Sequence, residues 1–323
     1  MAWEAGTFAA RLRGELRIRN QHYAVGRSFV ESYGDPPVIV YEPDESGHGN
    51  FFNLAYQAIL ARPEWIKRFD KVHAQARSLP KVQRRWRELD SSMSSDALLM
   101  NVFCTPGVVE SEAVRRLLGV DDCEAPDFGW RARVPLMNGR FDRTEVDMRW
   151  GGLLVEAKLT ESDFQVCKSE VVEAYRDFKE VFDRELLPLV EIPVSRRKAS
   201  AEFPEEYTQE EVIVPAKEWQ PTLINKPRDC VPGYAGYQLF RNVLAAKTQG
   251  TCFCVIEDAR RPDLREVWFQ VMAAVKSAEM RVRLKVLTWQ ELAAALPDDL
   301  QAFLRTKYGI HSAVKRDSET WIG

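Results

Sequence analysis

The sequence predicts a mixed α/β fold, a sheet with helices on its faces, and three observations carry that expectation. Two short alternating segments meet at Gly151-Gly152, the two-residue loop of a tight hairpin. Residues 251–257 form a continuous apolar run of the kind buried on both faces in a parallel strand. Around them, apolar residues recur at helical spacing. The core order reads helix, three-strand meander, helix, strand, helix, strand.

The first ninety residues read as mostly helical. Phe52, Tyr56, Ile59 and Leu60 share one helix face, Pro63 breaks it, and Trp65, Ile66 and Phe69 follow, with a turn-rich stretch near 34–50 upstream. Ser94-Ser95-Asp96 caps a helix through Ala97, Leu98, Leu99, Val102 and Phe103, which Pro106-Gly107 ends. Another helix starts near Ser111 and contains Val114, Leu117 and Leu118. Residues 131–137 alternate around Ala132, Val134 and Leu136 and read as the first strand of the meander; 144–150 and 153–159 are the other two. A helix is expected near 164–187. The charged clusters Arg196-Arg197-Lys198, Glu205-Glu206 and Glu210-Glu211 then mark residues 160–232 as an exposed insertion. A helix at 236–247, the apolar strand, a helix at 268–277, a strand at 281–287 and helices at 290–296 and 298–307 complete the chain. Three units follow: a basic helical extension (1–90), the core with its insertion (91–310) and a tail (311–323).

Composition narrows the function. With 45% apolar and 29% charged residues, the 323-residue chain has the make-up of a soluble globular protein, and no run of about 18 apolar residues could span a membrane. No secretory signal is visible. The six cysteines show neither zinc-finger spacing nor a disulfide framework, so a reduced cytoplasm is expected. The four histidines include no His-x-x-x-His pair, which argues against a histidine-ligated zinc site. A net charge of −3 argues against coating nucleic acid by bulk charge, but residues 62–88 are strongly cationic, with Arg84 and Arg85 at the centre of one cluster.

The hairpin carries the chemistry. If Trp150 pairs with Leu153, Asp147 lies opposite Glu156 and Glu145 opposite Lys158. Alternation then places Val146, Met148 and Trp150 with Leu153, Val155 and Ala157 on one apolar face. Two facing carboxylates repel unless a positive charge lies between them, and a divalent metal is the natural candidate. Lys158 stands beside it, able to neutralise charge there, or else simply to pair with Glu145.

This order and the Asp147…Glu156-Ala157-Lys158 signature resemble the PD-(D/E)xK nuclease superfamily, the restriction-endonuclease-like fold, although Val146 stands where the motif's proline would be. Ser94-Ser95-Asp96-Ala97-Leu98 with Asn101 and Phe103, the run Glu156 to Glu161, the run Tyr237 to Asn242, and His48-Gly49-Asn50-Phe51 are similar to a bacterial restriction-endonuclease group of the Porphyromonas type. The resemblance implies a metal-dependent deoxyribonuclease using Mg²⁺, with Mn²⁺ as a substitute, held by Asp147, Glu156 and the Ala157 carbonyl. It implies catalytic roles for Asp147, Glu156 and Lys158, and for Gln238 on the following helix. It also implies a further acid from Asp96 or Glu112, DNA as partner, and a homodimer for double-strand cutting. Arg241, Asn242, Arg84 and Arg85 are candidates for DNA contact, and Trp65, Trp86 and Trp130 for base stacking. The alternative is a nucleic-acid-binding protein on the same fold with little catalysis. A retaining glycosidase is rejected, because a lysine beside both carboxylates would keep them ionised.

Overall fold

The computed structural model describes residues 5–32, 35–45, 47–69, 71, 87–121, 123–193 and 230–312. At its centre is a five-stranded mixed sheet. Its strands, in chain order, are β1 (Asp127–Arg131), β2 (Glu145–Trp150), β3 (Leu153–Ala157), β4 (Cys252–Glu257) and β5 (Leu284–Thr288), arranged β5-β4-β3-β2-β1. The β1–β2 and β2–β3 pairs are antiparallel, and β3–β4 and β4–β5 parallel. The apolar run of β4 is explained by this position: Phe253 and Val255 enter the core on one face, Cys254 and Ile256 the core on the other.

Six helices position the site: α1 (Ala5–Tyr23), α2 (Pro63–Phe69), α3 (Ser95–Phe103), α4 (Tyr237–Gln249), α5 (Pro262–Ala273) and α6 (Asp298–Tyr308). On one face of the sheet, Leu12 and Leu16 of α1, Leu98 and Val102 of α3 and Leu300 of α6 pack with Trp150, Val155 and Ile256. On the other, Leu239 and Val243 of α4 and Trp268 of α5 pack with Leu154 and Val255. The N-terminal helix is thus built into the same core as the hairpin. Among the described residues no helix is long and apolar enough to cross a membrane.

Helix α3 carries Asp96 and is buried along its whole length, with the Ser94 side chain accepting from the Ala97 N–H at its start. It is tied to the N-terminal segment by asparagines. Asn101 donates to the Asn50 carbonyl (3.0 Å) and accepts from the Phe52 N–H (2.6 Å), while Asn50 donates to Leu89 and Ser91 carbonyls. The two segments around Asn50 and Asn101, far apart in sequence, are therefore one structural clasp.

Several expectations are corrected. The first meander strand is β1, not 131–137: Asn138-Gly139 turns the chain there, and Val134–Pro135 pairs with Phe141–Asp142 in a separate ribbon. The N-terminal segment, expected to be mostly helical with a turn-rich stretch near 34–50, also contains short strands such as Phe29–Glu31 and Ile39–Tyr41. In place of one helix near 164–187, Val166–Lys168 pairs with Cys230–Ala235, which pairs in turn with Leu189–Pro193; between them lie single-turn helices. The apolar residues that suggested one helix, among them Phe164, Val172, Phe178 and Phe182, all enter the core, so tertiary packing sets the conformation. Pro262 opens α5 earlier than expected, and Val282 is exposed before β5 begins. The charged clusters of the insertion lie outside the described residues.

Candidate active site

The Gly-Gly loop sets the expected register: Trp150 pairs with Leu153, Arg149 with Leu154 and Met148 with Val155. The ladder stops there. At the next position the Asp147 side chain takes over, its Oδ2 accepting the Ala157 N–H at 2.8 Å. Met148, Trp150, Leu153, Val155 and Ala157 share one core as expected, but Val146 belongs to the other. The break coincides with Gly129 (φ 64), opposite Asp147 on β1, where the β1–β2 ladder is also interrupted.

Glu156 and Lys158 follow each other on the remaining face, both almost fully buried. Lys158 Nζ donates to Glu156 Oε1 at 2.7 Å, so the lysine pairs along its own strand rather than across to Glu145. Its backbone is pinned on both sides, the N–H to the Ile256 carbonyl (2.8 Å) and the carbonyl to Trp289 Nε1 (2.9 Å). The other glutamate oxygen, Oε2, accepts from Asn242 Nδ2 at 2.8 Å.

Glu145 instead meets cations from the N-terminal segment. Arg68 at the end of α2 donates through Nη1 to Glu145 (2.6 Å) and through Nη2 to Asp96 (2.7 Å), and its Nη2 lies 4.0 Å from Asp147. Lys71 Nζ is 3.2 Å from Glu145 and 3.3 Å from Asp96. Arg68 reaches the site over Gly129, whose missing side chain makes room: a Cβ there would lie 2.3 Å from Nη1.

The charges are unequally compensated. Burial pushes the Asp96 carboxyl up, but Arg68 and Lys71 outweigh it and hold it down at about 2. Glu145 is lowered in the same way, with Lys71 and Arg68 overcoming burial. Asp147 goes the opposite way. Burial, then Glu156, then Asp96 raise it well above its ordinary value, and Lys158 and Lys71 offset only part of this. Burial opposes the charge on Lys158, but Glu156, Glu161 and Asp147 outweigh it, and its affinity for a proton is raised. Asp147 is thus a carboxyl whose charge burial and its acidic neighbours disfavour.

Among the other candidates, Glu112 is exposed and paired with Arg116 one turn along, leaving Asp96 as the helical acid that faces this cluster. Glu161 folds back to accept from Ser95 Oγ (2.5 Å) and the Leu159 N–H (2.7 Å). Gln238 is half-buried on α4, and no hydrogen bond joins its side chain to Asp147, Glu156 or Lys158; Asn242, one turn later, makes that contact. Both α4 candidates for DNA contact are engaged within the fold. Arg241 forms a two-point pair with Asp142 (2.9 and 3.4 Å), which Tyr175 Oη also bonds, and Asn242 is enclosed against Glu156. Trp65 is a core residue bonded to the Pro126 carbonyl, and Arg149 stacks on half-buried Trp130. Arg84, Arg85 and Trp86 lie outside the described residues. Arg68, Lys71 and Asn242 are the contacts that sequence reasoning missed; the one local signal was Gly129, a lone glycine in a strand marking close approach of another group.

A mixed α/β core here gathers two acidic strands, an acidic helix and a buried lysine. Residues 13–309 match the family model described as Restriction Endonuclease associating with ARP, and the chain belongs to that family. Nuclease activity is what this membership suggests. No match was found among curated proteins or among solved structures.

Asn242 gives a direct test of the cluster. Replacing it with alanine removes a neutral donor from Glu156 without changing any charge. The expected result is a loss of about 1–3 kcal/mol of stability, because the buried Glu156 oxygen is left unsatisfied. Denaturant unfolding would measure it.

Proposed function

We propose that the chain is a metal-dependent deoxyribonuclease of the PD-(D/E)xK type, hydrolysing phosphodiester bonds with Mg²⁺ or, in its place, Mn²⁺. The observation that carries this reading is Asp147, a half-buried carboxyl where the β2–β3 ladder ends, its Oδ2 on the Ala157 N–H, in surroundings that disfavour its charge. Among the described residues no three Asp, Glu, His or Cys groups converge as a ready-made metal cluster, and the proposed set is the Asp147 and Glu156 carboxylates with the Ala157 carbonyl. An all-oxygen set with few protein ligands suits Mg²⁺, which keeps several of its waters. When bound, the ion would polarise the phosphate and make its water more acidic.

The chain's own residues do the rest. Lys158, enclosed and held charged by the carboxylates around it, orients the attacking water and stabilises charge developing on the phosphate; the same charge makes it a poor general base. Asn242 fixes the Glu156 carboxylate in one orientation. Arg261, fully buried, donates to the Leu159, Glu161 and Ser162 carbonyls and thereby holds the turn that follows Lys158. The segments around Asn50, Asn101, Glu156 and Tyr237 support placing it with the Porphyromonas-type group. A restriction or defence role follows from the family, whose description also names association with ARP; a partner protein and a second copy for double-strand cutting belong to the same reading.

The test is cleavage of supercoiled plasmid and of labelled single-stranded DNA with Mg²⁺ or Mn²⁺. Wild type is expected to cut, and Lys158→Ala and Asp147→Ala to lose on the order of 10³-fold or more of that rate. Binding of DNA without cutting by pure wild type, with either metal, would instead favour the binding-protein alternative.

A further inference from the structure

The acidic cluster has two halves with different partners. In the first, Arg68 and Lys71 both approach the same oxygens: Asp96 Oδ2 at 2.7 and 3.3 Å, and Glu145 Oε1 at 2.6 and 3.2 Å. These two oxygens and two cations form a quartet, at whose edges Glu88 lies 3.6 Å from Lys71 and Arg131 3.9 Å from Glu145. In the second half, Asp147 Oδ1 has Arg68 Nη2 as its closest cation, at 4.0 Å, and Glu156 is held by Lys158 and Asn242.

We infer that Arg68 and Lys71 permanently fill the place of a second metal ion, so that the site takes a single divalent cation, at Asp147 and Glu156. The inference rests on the nuclease reading above and deepens it. In sites with two ions, these lie about 3.5–4 Å apart and share ligands. Asp147 is the carboxylate that would be shared, and on its Asp96 side stands the guanidinium. Arginine remains charged at any working pH, unlike a bound ion that can leave. The group is also locked in place. Its side chain is 6% exposed, both arms of its fork are engaged, and the Gly129 backbone lies directly behind it. A metal entering that half would have to displace two cations from the oxygens it needs.

The experiment counts Mn²⁺ ions per full-length chain by calorimetric titration, with electron paramagnetic resonance of free Mn²⁺ as a second count. One ion per wild-type chain, abolished in Asp147→Asn, is the expected result. Two ions would overturn the inference while leaving the nuclease reading intact; none, together with no cleavage, would overturn both. Arg68→Met is expected to bind two ions, and a folded Arg68→Met protein that still binds one would show that Arg68 is not what excludes the second. Asp96→Asn provides a check that does not depend on Arg68→Met folding. Its Mn²⁺ affinity is expected to stay within about threefold of wild type, whereas the tenfold or greater loss typical of a removed ligand or its support would place Asp96 on the metal and overturn the inference.

Discussion

Asp147→Asn is expected to be at once inactive and more stable than the metal-free wild type. The activity loss follows from removing a proposed metal ligand. The stability gain follows from the environment of the carboxyl, where burial, Glu156 and Asp96 all disfavour its charged form. A carboxyl whose folded affinity for protons is raised contributes stability below its ordinary pKa and loses that contribution as the pH rises through the folded value. Wild type and variant should therefore converge in acid, and wild type should fall behind toward neutral pH. Asparagine keeps the shape and can still accept the Ala157 N–H through its carbonyl. Each kcal/mol relieved moves the melting midpoint by roughly 2 °C in a chain of this size. Added Mg²⁺ should raise the midpoint of wild type and leave that of the variant nearly unchanged. Thermal melts at several pH values, with and without metal, measure all of this. A variant less stable than wild type at neutral pH would contradict the charge imbalance on which the site assignment depends.

The largest stability effect is expected at Arg68. Methionine there fills similar volume but leaves Asp96 with Lys71 as its partner, and Glu145 with Lys71 and, at 3.9 Å, Arg131. Breaking a buried pair while one partner stays charged costs about 3–5 kcal/mol. Denaturant unfolding at neutral pH should show that loss. Asp96 is held down at about 2 against an ordinary value of 3.8, so its contribution is present above the ordinary value and fades as the pH falls through the lowered one. The gap between wild type and Arg68→Met should accordingly narrow below about pH 4. Asp96→Asn combined with Arg68→Met should recover part of the loss, since it removes the stranded charge.

Parts of this arrangement are legible in the sequence because they are local. Gly151-Gly152 specifies a two-residue hairpin, and the pairing of Trp150 with Leu153 follows from it. The apolar run at β4 announces a strand covered on both faces, and Ser94 announces the start of α3. The parts that were not legible depend on distance. The β1 strand was missed because Gly129 interrupts its pattern, and that glycine makes sense only once Arg68, some sixty residues earlier, is seen to pass over it. Lys158 was placed opposite Glu145 by extending a regular ladder, but the ladder ends at Met148 and Val155, and each side chain finds another partner. Arg241 and Asn242 are polar residues on a helix and read as surface; only the packing of α4 on β3 turns Asn242 toward Glu156. Arg68 and Lys71 stand in a cationic stretch whose simplest reading was a solvated face or a DNA contact, and no local pattern pairs them with acids on α3 and β2.

The turn after Lys158 has no ladder of its own; its carbonyls at Leu159, Glu161 and Ser162 are all satisfied by the guanidinium of Arg261. The order of this turn is imported from a residue a hundred positions downstream. The strand that carries Glu156 and the turn after it are finished only when the C-terminal third of the chain has docked. A growing or truncated polypeptide that already displays Asp147, Glu156 and Lys158 therefore holds the residues of the proposed site without its geometry, so any activity of that site would be confined to the completed chain.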